Sequence, residues 1–130
     1  MVIDTSALLC ILLGEPEAEQ CARLLVTADS TNVIASVTWF EAMLVITSRR
    51  GEAGHQSLTH LLDLAHVEIL PMDADLAQIA YQAWLRYGKG RHPAGLNFGD
   101  CFSYALAKQR AELLLFKGED FSKTDILTVI

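Results

Sequence analysis

Four carboxylates stand where alternating strands and helices would bring them together. Asp4 closes the opening MVID, and Glu41 is the only charge in the apolar run from Trp39 to Ile46. Asp100 begins DCFSYALAKQR after GLNFG, and Asp120 follows ELLLF within LLLFKGEDFSKTDI. Several carboxylates within a few ångströms of one another cannot all stay ionised without a counter-charge. An all-oxygen donor set selects Mg²⁺ or Mn²⁺ over zinc, and Mg²⁺ shares a few carboxylates with a phosphate while keeping several waters. The chemistry this supports is metal-assisted phosphodiester hydrolysis, which needs no Ser, Cys or His nucleophile.

Each carboxylate also has a plainer reading. Asp4 suits the N-cap of a helix starting at Thr5 or Ser6. Thr38 and Glu41 have the spacing of a capping box. Asp100, in a first helical turn, is favoured by the helix dipole. Asp120, with Glu119 and Asp125 nearby, could belong to an acidic surface loop, and Asp73 is most simply the N-cap of the amphipathic helix after it. The functional reading rests on convergence. Asp4 and Asp120 end strands, while Glu41 and Asp100 lie in the first turns of helices that follow the same edge.

The elements that must position them are read from periodicity. Short buried strands are expected at 1–4, 32–36, 66–72, 112–116 and 126–130, rich in Val, Ile and Leu and bounded by polar residues. Helices are expected at 16–28, 38–49, 55–65, 75–87 and 100–111; in the first, Ala18, Cys21, Ala22, Leu25 and Ala28 form one stripe. Strands separated by helices predict a three-layer α/β/α arrangement, with a central, mainly parallel five-stranded sheet in a single domain, 1–130. In such sheets ligands bind at the carboxyl ends of the strands, where strand order reverses. The segment YGKGRHPAGLNFG (87–99) resists the alternation. Its Lys89, Arg91 and His92 make it either a substrate-contacting flap or a solvated connector, with His92 read as a loop histidine.

Composition narrows the classes. The chain has 130 residues, a hydrophobic fraction of 52% and a net charge of −6. No run approaches the ~20 apolar residues that cross a bilayer, and no basic region precedes an apolar one at the start, so a cytoplasmic, membrane-free protein is expected. Its acidity disfavours a broad nucleic-acid-coating face. Cys10, Cys21 and Cys101 show no metal-ligand spacing and read as reduced, buried thiols.

Taken in order and spacing, VIDTSALL, the lone Glu41, LNFGDCFSYALAK and LLFKGEDFSKTDI resemble the PIN-domain ribonucleases, specifically the VapC-type toxins of bacterial toxin–antitoxin pairs. The similarity covers essentially the whole chain. It implies a PIN-like fold, a Mg²⁺-dependent endoribonuclease (Mn²⁺ also possible) acting on RNA, a homodimer, and a VapB-type antitoxin whose tail enters the acidic cleft. By position, the family's acidic ligands fall on Asp4, Glu41 and Asp100. GED offers Glu119 or Asp120 as the fourth, and Asp120 is preferred because it directly precedes the motif phenylalanine. Ser6 matches a small hydroxyl residue that holds the first aspartate. Lys89, Arg91, Arg49 and Arg50 are candidate phosphate contacts without motif support. Two other readings remain: a Mg²⁺-binding module similar to receiver domains, phosphorylated at Asp73, and a PIN-like domain that binds protein without catalysis.

Overall fold

Successive residues of a strand point to opposite faces of its sheet, and here both faces are covered. The structure is a computed structural model describing residues 1–27 and 31–129. Among these, β1 (Val2–Ile3), β2 (Asn32–Ala35), β3 (Val67–Leu70) and β4 (Leu114–Leu115) form one parallel sheet in the order β3-β2-β1-β4. Val2, Val33 and Leu114 turn to one face and pack with Leu76, Ala80 and Ala105. Ile3, Ile34 and Leu115 turn to the other and pack with Leu8, Leu25, Ile46 and Leu58. The first face is covered by α4 (Ala74–Tyr87) and α5 (Phe98–Arg110), the second by α1 (Thr5–Leu12), α2 (Ala18–Thr27) and α3 (Ser36–Leu64). The result is the expected three-layer α/β/α arrangement.

The sheet has four strands among the described residues, which corrects the expected five. Segment 126–130 meets β4 at a single parallel bridge, Leu114 to Thr128, with Leu114 N–H donating to Leu127 O at 3.0 Å and Val129 N–H to Leu114 O at 3.3 Å. The reason lies upstream. A 3₁₀ turn at Phe121–Lys123 uses up chain, and Asp125 is held by Lys108 at 2.8 Å and by the Tyr104 hydroxyl at 2.5 Å, so the terminus reaches a two-residue edge strand only for its last residues. Ile130 lies outside the described residues.

The helices expected at 38–49 and 55–65 are one element, α3, bent at Gly51. Gly51 adopts φ 61°, a conformation that L side chains resist, so the helix changes direction there and resumes. Gly54 lets the two limbs meet closely, since a Cβ there would stand 2.6 Å from Ile46 O. Helix α2 begins at Ala18, leaving Pro16 just before it, and Ala28 of its expected stripe lies outside the described residues.

Strand order reverses at β1. The chain moves outward through β2 to β3, then crosses back to place β4 on the other side of β1. The crevice that a parallel sheet offers a ligand therefore opens beyond the carboxyl ends of β1 and β4.

Candidate metal centre

Asp4 follows β1 directly and is buried, with 3% exposure. It both caps α1 and faces the crevice. Its Oδ2 accepts from Ser6 N–H at 3.0 Å and from Ser6 Oγ at 2.6 Å, and its Oδ1 accepts from Ser103 Oγ at 2.5 Å. A buried carboxylate requires such donors. Ser6 Oγ in turn accepts from Lys117 N–H at 2.9 Å, which ties the end of β4 to Asp4.

Glu41 does not form the capping box with Thr38. Helix α3 starts at Ser36, its N-cap Ala35 has no side-chain hydrogen bond, and Thr38 is buried within the first turn against Ser103. The Glu41 carboxylate instead lies on the backbone of α5. A Cβ at Gly99 would stand 2.7 Å from Glu41 Cδ, so only glycine leaves room for it.

Asp100 lies in the first turn of α5 and belongs to the capping box that does form: Asn97 Oδ1 accepts from Asp100 N–H at 2.9 Å, and Asp100 Oδ2 accepts from Asn97 N–H at 3.1 Å. The cap and the site use the same residue. Burial, reinforced by the negative charges of Asp4, Asp120 and Glu41, pushes the Asp100 carboxyl up to about 7 despite the Asn97 hydrogen bond. Asp100 thus feels the charge of the other three carboxylates. Among the described residues none of them pairs with a Lys, Arg or His. An all-oxygen group with uncompensated negative charge fits a hard divalent cation.

Other expected residues fall elsewhere. Glu119 and Asp120 are both exposed; Glu119 lies beside Lys117 and Glu17, while the negative charge of Asp120 is among those that raise Asp100. Asp125 is ion-paired with Lys108 and Arg86. Asp73 caps α4 through Leu76 N–H at 2.8 Å, after edge strand β3 and away from the strand-order reversal. His92 is half-buried, its Nδ1 accepting from Ala94 N–H at 3.0 Å and its ring edge-on to Tyr87. Arg91 lies over Trp84, and Lys89 is exposed. Arg49 and Arg50 are eight and nine residues beyond Glu41 on α3, a rise of roughly 12–14 Å. The sequence reading missed Gly99 and Ser103. Ser103 lies one turn after Asp100, and that spacing was the available signal.

A second group, Cys10, Glu15 and Glu17, brings ligand atoms within 4.8 Å of one another. Its charge is already met by the Lys117 ammonium, which pairs with Glu15 and, at 3.5 Å, with Glu17. Burial pushes the Cys10 thiol up to about 11, so the thiolate a metal would need is disfavoured.

The PIN-domain family model matches residues 1–127 of this chain. The chain belongs to the PIN-domain family, among the VapC proteins. It is 50% identical over 129 residues to ribonuclease VapC30 of Mycobacterium tuberculosis, covering 99% of this chain and 98% of that one. Ribonuclease VapC of Mycolicibacterium smegmatis is also 50% identical, with 99% of each covered. Among solved structures, Mycobacterium tuberculosis VapC20, titled a sarcin–ricin loop cleaving toxin, superposes with a TM-score of 0.79 at 17% identity, covering 97% of this chain and 95% of that one. A toxin–antitoxin complex from Klebsiella pneumoniae gives a TM-score of 0.72 at 21% identity, covering 99% and 95%. At these identities the two structures speak for the fold alone.

Proposed function

We propose that this chain is a Mg²⁺-dependent endoribonuclease, the toxin of a toxin–antitoxin pair, which hydrolyses RNA phosphodiester bonds at the carboxyl edge of its sheet. The observation that carries the reading is Asp100, part-buried and raised by burial and by the negative charges of Asp4, Asp120 and Glu41, with no basic partner for any of the four among the described residues. The ribonuclease names of relatives at 50% identity support it.

In this reading Asp4, Glu41, Asp100 and Asp120 hold Mg²⁺, with Mn²⁺ as a substitute. The bound cation supplies positive charge for the scissile phosphate and lowers the pKa of a water. The chain's own contribution is aim. Ser6 and Ser103 hold the two Asp4 oxygens, Gly99 admits the Glu41 carboxylate, and Asn97 fixes the end of α5 that carries Asp100. Preorganised ligands of this kind need little rearrangement during reaction. Lys89 and Arg91 contact the RNA backbone, and Arg49 and Arg50 meet it only where the strand extends along α3. The whole chain works as one unit in the cytoplasm, as a homodimer, restrained by a VapB-type antitoxin that covers the acidic crevice. Membership among the VapC proteins, at 50% identity to named VapC ribonucleases, supports that partner.

Purified protein is expected to cleave RNA with Mg²⁺ or Mn²⁺ and to stop when the cation is chelated. Asp4→Ala and Asp100→Ala are expected to abolish cleavage while the circular dichroism spectrum stays unchanged. Full activity in excess EDTA would refute the reading.

A further inference from the structure

We propose that the Lys117 side chain, clamped by Glu15 and Glu17, sets the place of Asp120 in the acidic crevice, so that these three act as positioning residues for the metal centre. The inference rests on the endoribonuclease reading and deepens it, by giving the turn between α1 and α2 a part in aiming the fourth carboxylate.

The four carboxylates are not held alike. Asp4 accepts from Ser6 and Ser103, Asp100 is fixed by its box with Asn97, and Glu41 lies against the backbone of α5. Asp120 opens the 3₁₀ turn at Phe121–Lys123, yet its side chain caps nothing and is exposed. Where that carboxylate stands therefore depends on the backbone of 116–121, the loop that leaves β4. The far end of the loop is pinned by Phe121, which is buried and packs on Phe116 with ring centroids 5.1 Å apart. In its middle Gly118 adopts φ 116°, and the space a Cβ would fill is open. A glycine without neighbours offers little resistance to rotation, so the near end of the loop needs a hold of its own.

Lys117 supplies that hold twice. Its N–H donates to Ser6 Oγ at 2.9 Å, and its ammonium pairs with Glu15 and, at 3.5 Å, with Glu17. The opposite side of the clamp is rigid. Pro16 restricts the backbone on either side of its own bond to Glu15. Glu15 N–H donates to Cys10 O at 3.0 Å, and Ala18 N–H donates to Glu15 O at 2.9 Å. The three charged side chains are partly buried, which spares some of their attraction from screening by salt. An ammonium shared by two carboxylates is not a free phosphate contact. What it can do is anchor the chain three residues before Asp120 to a turn 102 positions away.

The test titrates metal-free protein with Mn²⁺, and electron paramagnetic resonance of the free ion gives the affinity. Lys117→Met removes the ammonium but keeps the stem and the backbone contact with Ser6. It is expected to weaken Mn²⁺ binding roughly 10-fold, the lower end of what losing the support of a metal ligand costs. Lys117→Arg should stay within about 3-fold of the wild type, since a guanidinium can also bridge two carboxylates. The double variant Glu15→Gln/Glu17→Gln should weaken binding as Lys117→Met does, and it decides the matter if circular dichroism shows that Lys117→Met fails to fold. In an Asp120→Asn background, Lys117→Met should cost no further affinity, because the carboxylate it aims is gone, whereas a merely structural role would cost the same in both backgrounds. Amide hydrogen exchange at 118–121 in metal-free Lys117→Met should quicken roughly 2- to 10-fold. The proposal is overturned if Lys117→Met binds Mn²⁺ like the wild type, or if its loss is undiminished in Asp120→Asn. It is also overturned if Lys117→Met only raises KM for RNA, which would make Lys117 a substrate contact. A wild type that binds Mn²⁺ and cuts RNA, beside a Lys117→Met that does so equally well, removes this inference alone. A wild type that does neither removes the endoribonuclease reading and this inference with it.

Discussion

Replacing Gly99 by alanine separates stability from site geometry. Gly99 lies in the first turn of α5 with ordinary helical φ, so alanine by itself favours the helix by up to about 1 kcal/mol. The added Cβ would stand 2.7 Å from Glu41 Cδ and 2.8 Å from Oε1, against an ordinary contact of roughly 3.5–4.0 Å. The obstruction is the far end of a flexible side chain, so Glu41 can swing away and the fold need not move. Its carboxylate must retreat by about 1 Å, and misplacement on that scale can reduce turnover about 100-fold. Gly99→Ala is therefore expected to unfold in urea at the wild-type midpoint or slightly above it. Its Mg²⁺-dependent RNA cleavage should fall by about two orders of magnitude, and calorimetry should show weaker Mg²⁺ binding. Cleavage within about 3-fold of the wild type, at unchanged Mg²⁺ affinity, would show that Glu41 has no positional role.

The remaining expectations concern protonation and hydrogen bonding. Asp100 stands at about 7 in the folded protein against an ordinary 3.8, so the folded state binds its proton more tightly than the unfolded state. The stability this group lends is complete below about pH 4 and is lost as pH rises through about 7. The full displacement corresponds to about 4 kcal/mol, which partial solvent exposure screens to about 1–2 kcal/mol. Metal-free Asp100→Asn should accordingly be more stable than the wild type by about that amount at pH 8, with the gap closing toward pH 5. Urea titrations across pH measure it, and a gap that widens on acidification would contradict the burial argument. Ser103→Ala removes a buried donor to Asp4 and should lower stability by about 1.5–3 kcal/mol, along with Mg²⁺ affinity; a thermal shift with and without Mg²⁺ reads both. Burial pushes the Cys10 and Cys101 thiols up to about 11 and raises Cys21. None of the three should react with a disulfide reagent at pH 7.5 until the protein unfolds, which absorbance of the released thiolate follows.

The sequence by itself determined the alternation of elements and the four carboxylate positions. Period-2 runs such as Val2–Ile3 and Val33–Ile34 carry their own burial code, because each side chain must go to one face or the other of a sheet. A lone Glu41 among apolar residues announces itself in the same way, since a buried carboxylate needs a reason to be there. Helix ends were less legible. Thr38 and Glu41 have capping-box spacing, yet the box forms at Asn97 and Asp100, because local spacing cannot tell which residue begins a helix when β2 runs straight into α3. The bend at Gly51 and the loss of a fifth strand likewise depend on where the chain is held elsewhere.

Only the tertiary structure decided what surrounds the carboxylates. Gly99 packs against a glutamate 58 positions earlier in the chain, and Ser103 donates to Asp4 across 99 residues. Neither contact leaves a local pattern, because each is created where α5 crosses the ends of β1 and α3. The same crossing buries Asp100 near three other carboxylates, and burial first, then their charge, raises it. Electrostatic coupling depends on separation in space and on burial, and the order of residues along the chain specifies those only after folding.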